Sequence, residues 1–222
     1  MDNDIKEIIR IQNRLQRKLS DTRYAHTVSV SHTCACLAMK YEYDVNKAIV
    51  AGLLHDCAKY MDGKEMLDKA QKAGLSITDY ELNKPDLLHA KLGSYYANKK
   101  YDINDEDILS AIMCHTTGKP NMNLLEKIVY VSDYIEPLRY KMPRLDVIRK
   151  IAFEDIDECL KLILTDTLNY LKSSGMMIDK ANTEAGELIS RAENQAKDCF
   201  EALVKEGQDT AQEEYEQAIA EA

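Results

Sequence analysis

The sequence predicts an all-α protein, a helical bundle with a C-terminal helical extension. Only eight Gly and four Pro occur among 222 residues, too few for the many tight turns of an all-β chain. Apolar residues recur at spacings of three and four, which is the periodicity of helices buried on one face. With 45% hydrophobic residues, two Phe and no Trp, the chain can bury a core built mainly from aliphatic side chains, Met and Tyr.

The individual helices are predicted from this periodicity and from capping residues. The first covers residues 4–19, and Ser20 supplies an N-cap for the next helix, over 23–41. The almost wholly apolar segment 45–55 is expected at the centre of the bundle. The remaining helices are predicted over 64–73, from Pro85 to about 99, over 105–115, over 124–136 and within 144–172.

A change in composition predicts two parts, a body over 1–178 and an acidic extension over 179–222. Residues 180–222 hold four Lys or Arg and eleven Asp or Glu, whereas the whole chain has a net charge of −9, so the body is nearly neutral. An apolar stripe from Ala181 to Leu203 predicts an amphipathic helix that docks on the body or on a partner. A partly disordered tail is the alternative.

Charge and cysteine usage limit the partners and the compartment. A net negative charge argues against nucleic acid as the main partner, because binding phosphates needs a basic surface. The charged start MDNDIKEIIR does not resemble a secretory signal, and no apolar run is long enough to cross a bilayer. The six cysteines form no C-x-x-C pair and suggest reduced thiols. We expect a cytoplasmic protein, with a homodimer left open.

Six residues in apolar surroundings are candidates for a metal site. A buried carboxylate is costly unless it is paired, and neutral imidazoles together with carboxylates are ligands that divalent metals prefer. A single His on an apolar face is more often a core residue, so the prediction depends on the whole set. The candidates are His26, His55, Asp56, His89, His115 and Asp133.

Cations and hydroxyls near these candidates are predicted to bind phosphate groups. Lys59 lies four residues after His55, which places it on the same face if the helix continues, and Arg23 lies three before His26. Arg139 follows the helix of Asp133. The alternative for each cation is a solvated surface position. Thr116, Thr117 and Gly118 follow His115 at a helix end, where they either contact phosphate oxygens or only terminate the helix.

These residues lie in motifs that resemble a known family. The motifs are RYAH at 23–26, AGLLHDCAK at 51–59, LLHAKLG at 87–93, AIMCHTTG at 111–118 and YVSDYIEPLR at 130–139. Together they resemble the HD-domain superfamily, and more closely the YqeK-type symmetrical bis(5′-nucleosyl)-tetraphosphatases. The resemblance covers residues from about 5 to 175 and does not include the acidic extension.

The resemblance implies a helical bundle around two divalent metal ions. It implies that His26, His55, Asp56 and Asp133 are the ligands common to HD enzymes, that His89 and His115 add a second metal, and that Asp56 bridges the two ions. Iron is the expected metal, with Mn, Co, Mg and Zn as alternatives. Asp56, Lys59, Arg23 and Arg139 would act in catalysis, and the three cations with Thr116, Thr117 and Gly118 would bind substrate.

The implied reaction is symmetrical hydrolysis of diadenosine tetraphosphate, or of a related dinucleoside polyphosphate, to two nucleoside diphosphates. Relatives of the same architecture act on nucleoside monophosphates, cyclic dinucleotides or guanosine polyphosphates, so another nucleotide is an alternative substrate. An HD-type di-iron oxygenase shares the ligand set, and a non-catalytic nucleotide-binding module is the third alternative.

Overall fold

In the part of the chain that the structure describes, residues 2–173 of a computed structural model, the backbone forms helices and no strand. This confirms the predicted all-α fold. The α-helices are α1 (Asp2–Gln16), α2 (Asp21–Lys40), α3 (Val45–Leu54), α4 (Gly63–Lys72), α5 (Asp79–Asn83), α6 (Leu88–Tyr101), α7 (Glu106–Cys114), α8 (Leu124–Ile135), α9 (Leu145–Ile151) and α10 (Ile156–Ser173).

Side-chain caps fix where several of these helices begin. The hydroxyl of Ser20 accepts a hydrogen bond from the backbone N–H of Arg23, as the sequence predicted for the start of α2. The carboxylates of Asp44 and Asp105 cap α3 and α7 in the same way. Helices α3 and α7 end directly before His55 and His115, which places these two candidate ligands at helix C-termini.

Most boundaries agree with the sequence prediction to within two residues, and three features of the helices differ by more. Helix α1 ends at Gln16 instead of residue 19, although Leu19 is still buried in the turn that follows. Helix α5 was not predicted; a capping box between Thr78 and Glu81 stabilises it. Pro85 opens a short 3₁₀ helix over Pro85–Leu87, and α6 begins only at Leu88.

Helix α3 lies at the centre of the bundle, as its apolar sequence predicted. It packs against α1, α2, α6, α7 and α8. Its approach to α2 requires Gly52, because a Cβ at that position would lie 2.8 Å from the Cα of Ser31. The close approach of α2 and α3 also brings His26 on α2 near His55, which directly follows α3, with 5.4 Å between the ring centroids.

The acidic extension predicted for residues 179–222 lies outside the described residues, as does the helix expected from its apolar stripe. Between residues 2 and 173, no helix combines the length and the apolar character that crossing a bilayer requires.

Candidate metal centre

The six candidate side chains come together from separate elements of the bundle. His26 lies on α2 and Asp133 on α8, while His89 stands in the first turn of α6. His55 and His115 are the residues directly after α3 and α7, and Asp56 follows His55. All except Asp133 are buried, and the Asp133 side chain is 23% exposed.

Asp56 lies at the middle of the cluster, and its two oxygens face different histidines. Its Oδ1 lies 3.4 Å from Nε2 of His89 and 3.6 Å from Nε2 of His115. Its Oδ2 lies 3.5 Å from Nε2 of His55 and 3.9 Å from Nε2 of His26. The carboxylate thus lies between two pairs of histidines. A ligand that is shared by two cations would need this position.

Asp133 completes the side of the cluster nearer to α2. Its Oδ1 lies 3.1 Å from Nε2 of His26 and 3.9 Å from Nε2 of His55. Ligand atoms about 2.1 Å from a common metal are separated by about 3.0–3.4 Å in octahedral or tetrahedral geometry. The shorter separations in the cluster match this range.

The other nitrogen of each imidazole is held by a hydrogen bond. Nδ1–H of His55 donates to the carbonyl of Gly52 at 2.7 Å, and Nδ1–H of His115 donates to that of Ile112 at 2.7 Å. These carbonyls belong to the last turns of α3 and α7, where no backbone N–H remains to pair with them. Nδ1 of His89 meets the carbonyl of Asp86 in the same way.

These hydrogen bonds leave the lone pair of each Nε2 facing the centre. Nε2 of His26 and Nε2 of His55 are buried without a hydrogen-bond partner. Nε2 of His89 and Nε2 of His115 lie only 3.2 Å apart. Such an approach of lone pairs is repulsive unless a cation or a proton lies between them. The residues therefore fit divalent metal ions better than they fit an apolar core.

Electrostatics keep the two aspartates in the form that binds metals. Burial by itself would raise the pKa of Asp56, but the neighbouring His55 and His115 hold this pKa well below its usual range. Burial would also raise the pKa of Asp133, yet its close contact with His26 and the neighbouring His55 lower this pKa further than burial raises it. Both side chains are consequently ionised at neutral pH.

The pKa values of His89 and His26 are shifted in opposite directions by their surroundings. Burial lowers the pKa of His89 to about 3, and His115 adds to this effect, so His89 is neutral and ready to bind a cation. Burial also acts to lower the pKa of His26, but Asp133 and Glu136 outweigh it and the pKa is raised. A proton on His26 therefore competes with a metal, and the metal affinity should fall as the pH falls.

Glu136 is a buried carboxylate to which the sequence analysis gave no role. Its Oε1 accepts a hydrogen bond from Nδ1–H of His26 at 3.1 Å, and its Oε2 accepts one from the backbone N–H of Leu138 at 2.6 Å. Its position near the cluster could have been predicted from the sequence, because Glu136 lies three residues after Asp133, which is about one helical turn. Glu136 orients His26 and fixes its tautomer.

Replacing Glu136 with Gln should lower the metal affinity roughly ten- to hundredfold. Both carboxylate oxygens are acceptors, whereas an amide has one acceptor and would point its NH₂ group at a second donor. Equilibrium dialysis with a divalent metal measures the effect. Glu126→Gln is the matched control, because Glu126 is another buried glutamate, in the first turn of α8, but contacts Lys119 and Ser110 rather than a candidate ligand. Equal losses in both variants would contradict the orienting role.

The three predicted cations all reach the cluster. Arg23 donates to Oδ2 of Asp56 at 2.7 Å, and Arg139 donates to Oδ1 of Asp133 at 2.7 Å. Nζ of Lys59 lies 3.3 Å from Nε2 of His89. Lys59 reaches this place without the helical continuation that the sequence analysis considered, because α3 ends at Leu54 and turns follow. Burial lowers the pKa of Lys59.

The predicted hydroxyl segment only partly reaches the cluster. Oγ1 of Thr116 lies 3.1 Å from Nε2 of His89 and 3.1 Å from Nε2 of His115. Oγ1 of Thr117 donates instead to the carbonyl of Gly118. Gly118 has a φ of +70°, a left-handed conformation that favours glycine, and its backbone N–H donates to the carbonyl of Cys114, the last residue of α7.

Two grooves open beside the cluster. The arginine groove, of about 340 Å³, is lined by His26, Arg23, Arg139, Tyr140 and Lys141 among others. The threonine groove, of about 350 Å³, is lined by Thr116, Thr117, Thr78, Met113 and Lys119 among others. Both volumes lie at the lower end of the range of small-ligand sites.

Comparison with known proteins assigns this arrangement to a family. Residues 23–138 match the model of the HD domain, a range that begins at Arg23 and ends after Asp133 and Glu136. A solved structure from Clostridium acetobutylicum, described as a predicted HD superfamily hydrolase involved in NAD metabolism, superposes with a TM-score of 0.79 at 37% identity. The match covers 82% of this chain and 96% of that chain.

Two curated relatives carry the name bis(5′-nucleosyl)-tetraphosphatase, symmetrical. The protein from Bacillus subtilis is 38% identical over 159 residues, which are 71% of this chain and 83% of the relative. The protein from Halalkalibacterium halodurans is 41% identical over 153 residues, which are 69% of this chain and 81% of the relative. The chain therefore belongs to the HD domain family and, within it, to the group of the symmetrical bis(5′-nucleosyl)-tetraphosphatases.

Proposed function

We propose that this protein is a metal-dependent hydrolase that cleaves diadenosine tetraphosphate symmetrically into two molecules of ADP. The observation that carries the proposal is the position of Asp56, whose two oxygens face two separate histidine pairs. The names of the relatives from B. subtilis and H. halodurans support the substrate. Fold and metal-binding residues alone would not choose it among phosphorylated nucleotides.

In this proposal the six side chains of the cluster hold two divalent cations. His26, His55, Asp133 and Asp56 would hold the first, and His89, His115 and Asp56 would hold the second. Two such cations lower the pKa of water and neutralise charge on the attacked phosphoryl group. The backbone carbonyls behind His55 and His115 and the carboxylate of Glu136 hold the Nδ1 atoms of these imidazoles, so that each Nε2 would be free to bind a metal.

The cations of the protein would hold the phosphate chain. Arg23 donates a hydrogen bond to Asp56, and Arg139 donates one to Asp133. When these carboxylates bind metal, they no longer need the arginines as partners. Their guanidinium groups are then available to the phosphate oxygens, together with Lys59 and the hydroxyl of Thr116. Thr117 and Gly118 would contribute at the rim of the site. Water adds to one of the two central phosphorus atoms, and the bond to the central bridging oxygen breaks.

The test is the product pattern from diadenosine tetraphosphate. Metal analysis of the purified protein comes first, followed by incubation with substrate and separation of the nucleotides by chromatography. We expect ADP as the only product, and no turnover after chelation and removal of the metal. ATP together with AMP would contradict symmetrical cleavage, and binding without turnover would favour a non-catalytic module. Turnover with Mn²⁺ or Co²⁺ under strict anaerobiosis would exclude an oxygenase.

We also propose iron as the resident metal, since imidazole-rich sites with carboxylates suit iron, but Mn, Co, Mg and Zn remain to be tested by the same analysis. A cytoplasmic location is supported by the five described cysteines, none of which forms a disulfide. We further propose that the body and the acidic extension meet between residues 178 and 179. We also propose that the protein forms a homodimer, and that the acidic extension contacts the body or a partner. Truncation after residue 178 and light scattering would test them.

A further inference from the structure

The threonine groove meets the metal cluster at one residue, Thr116. Its hydroxyl lies 3.1 Å from Nε2 of both His89 and His115, and its side chain also lines the groove. The arginine groove meets the cluster at His26, which faces the other oxygen of Asp56. Each groove therefore ends at a different histidine pair, with Asp56 between the two pairs.

The lining of the threonine groove suits a nucleoside better than a chain of phosphates. Its two lysines are already paired with carboxylates: Lys91 with Glu81, which also lines the groove, at 2.8 Å, and Lys119 with the buried Glu126 at 2.6 Å. Met113, which is 50% exposed, supplies an apolar surface. Apolar walls with a few hydroxyl groups are typical of sites that hold a base and a ribose.

Symmetrical cleavage requires space for two equal halves of the substrate. The broken bond lies between the second and third of four phosphates, so a nucleoside diphosphate extends from the reaction centre on each side. The arginine groove, with Arg23, Arg139 and an exposed Tyr140, offers space for one half. The second half needs another opening of similar size that reaches the other end of the cluster.

We propose that the threonine groove is a second nucleoside-binding subsite, which holds the nucleoside of one half of the dinucleotide while the arginine groove holds the other. This inference rests on the proposed function. It adds Met113 and Thr78 to the residues that contact substrate, and it predicts that both product nucleotides fit at the same time.

The first test compares diadenosine tetraphosphate with adenosine 5′-tetraphosphate, which has the four phosphates but only one nucleoside. Met113→Ala should lower the ratio of kcat/KM for the dinucleotide to kcat/KM for the mononucleotide by about tenfold. The mononucleotide can place its single base in the arginine groove. Met39→Ala is the matched control, because Met39 is an exposed methionine of α2 that lines neither groove. A wild-type ratio in Met113→Ala would overturn the subsite.

The second test counts ADP molecules bound to the metal-loaded wild-type protein by equilibrium dialysis. Two ADP per chain are expected, and one would overturn the inference. The two proposals can fail separately. Turnover of diadenosine tetraphosphate with one bound ADP would remove the subsite and leave the proposed function, whereas two bound ADP without turnover would do the reverse.

Discussion

Replacement of Asp56 by Asn is expected to reduce hydrolysis of diadenosine tetraphosphate by about a thousandfold or more. The amide of Asn is neutral and has only one oxygen, so it cannot face two cations with an acceptor on each side. Both histidine pairs would lose the group that joins them. Steady-state kinetics measure the loss, and metal analysis should find fewer than two ions per chain.

A thermal unfolding experiment separates this effect from simple misfolding. A metal that binds only the folded protein raises its melting temperature, so the wild type should gain stability on metal addition and Asp56→Asn should gain much less. Asp68→Asn is the control, because Asp68 is an exposed partner of Lys72 on α4. If Asp56→Asn retains two metals and near wild-type turnover, Asp56 does not bridge them.

The prediction of the fold succeeded where the signals are local. Apolar spacing and the cap at Ser20 depend on neighbours in sequence, and they placed α2 and α3 to within a few residues. Helix α5 has such a signal as well, since Thr78 and Glu81 form a capping box, but it is only five residues long and lacks a clear apolar stripe. Short helices stabilised mainly by a cap are easily missed by periodicity.

The structure brings the six predicted side chains together, whereas the groups that hold them in place were not predicted. Burying a carboxylate such as Asp56 needs compensation, which made it conspicuous in an apolar segment. The carbonyls of Gly52 and Ile112 that orient His55 and His115 left no such signal, because every residue has a carbonyl. Only the ends of α3 and α7 in three dimensions show which carbonyls are free to accept.

The position of Lys59 also depends on tertiary structure that the sequence did not reveal. The sequence placed it near the cluster by assuming a continuous helix, but the backbone turns after Leu54. The lysine arrives near His89 because tertiary contacts between that turn and α6 bring them together. The structure thus places Lys59 beside the cluster, although the backbone between His55 and Lys59 forms turns instead of the helix that the prediction assumed.

The second large effect is expected for His115→Ala, which separates a two-metal site from a one-metal site. Without His115, the second cation would keep only His89 and one oxygen of Asp56 among the proposed ligands. We expect the metal content to fall from two ions to one per chain and turnover to fall about a hundredfold or more. The ligands around the first cation stay in place, because His26 and Asp133 do not depend on α7 for their contact.

His32→Ala is the matched control for this variant. His32 is the remaining histidine of the five, it is exposed on α2, and it belongs to none of the groups of residues that could hold a metal within the described part of the chain. The control should retain two metals and wild-type kinetics. A one-metal mechanism makes a different prediction, in which His115→Ala keeps both the metal content and most of the turnover of the wild type. In the two-metal mechanism, cleavage of the dinucleotide between its two halves needs both divalent cations that share Asp56. The metal content and the rate of His115→Ala are therefore expected to fall together.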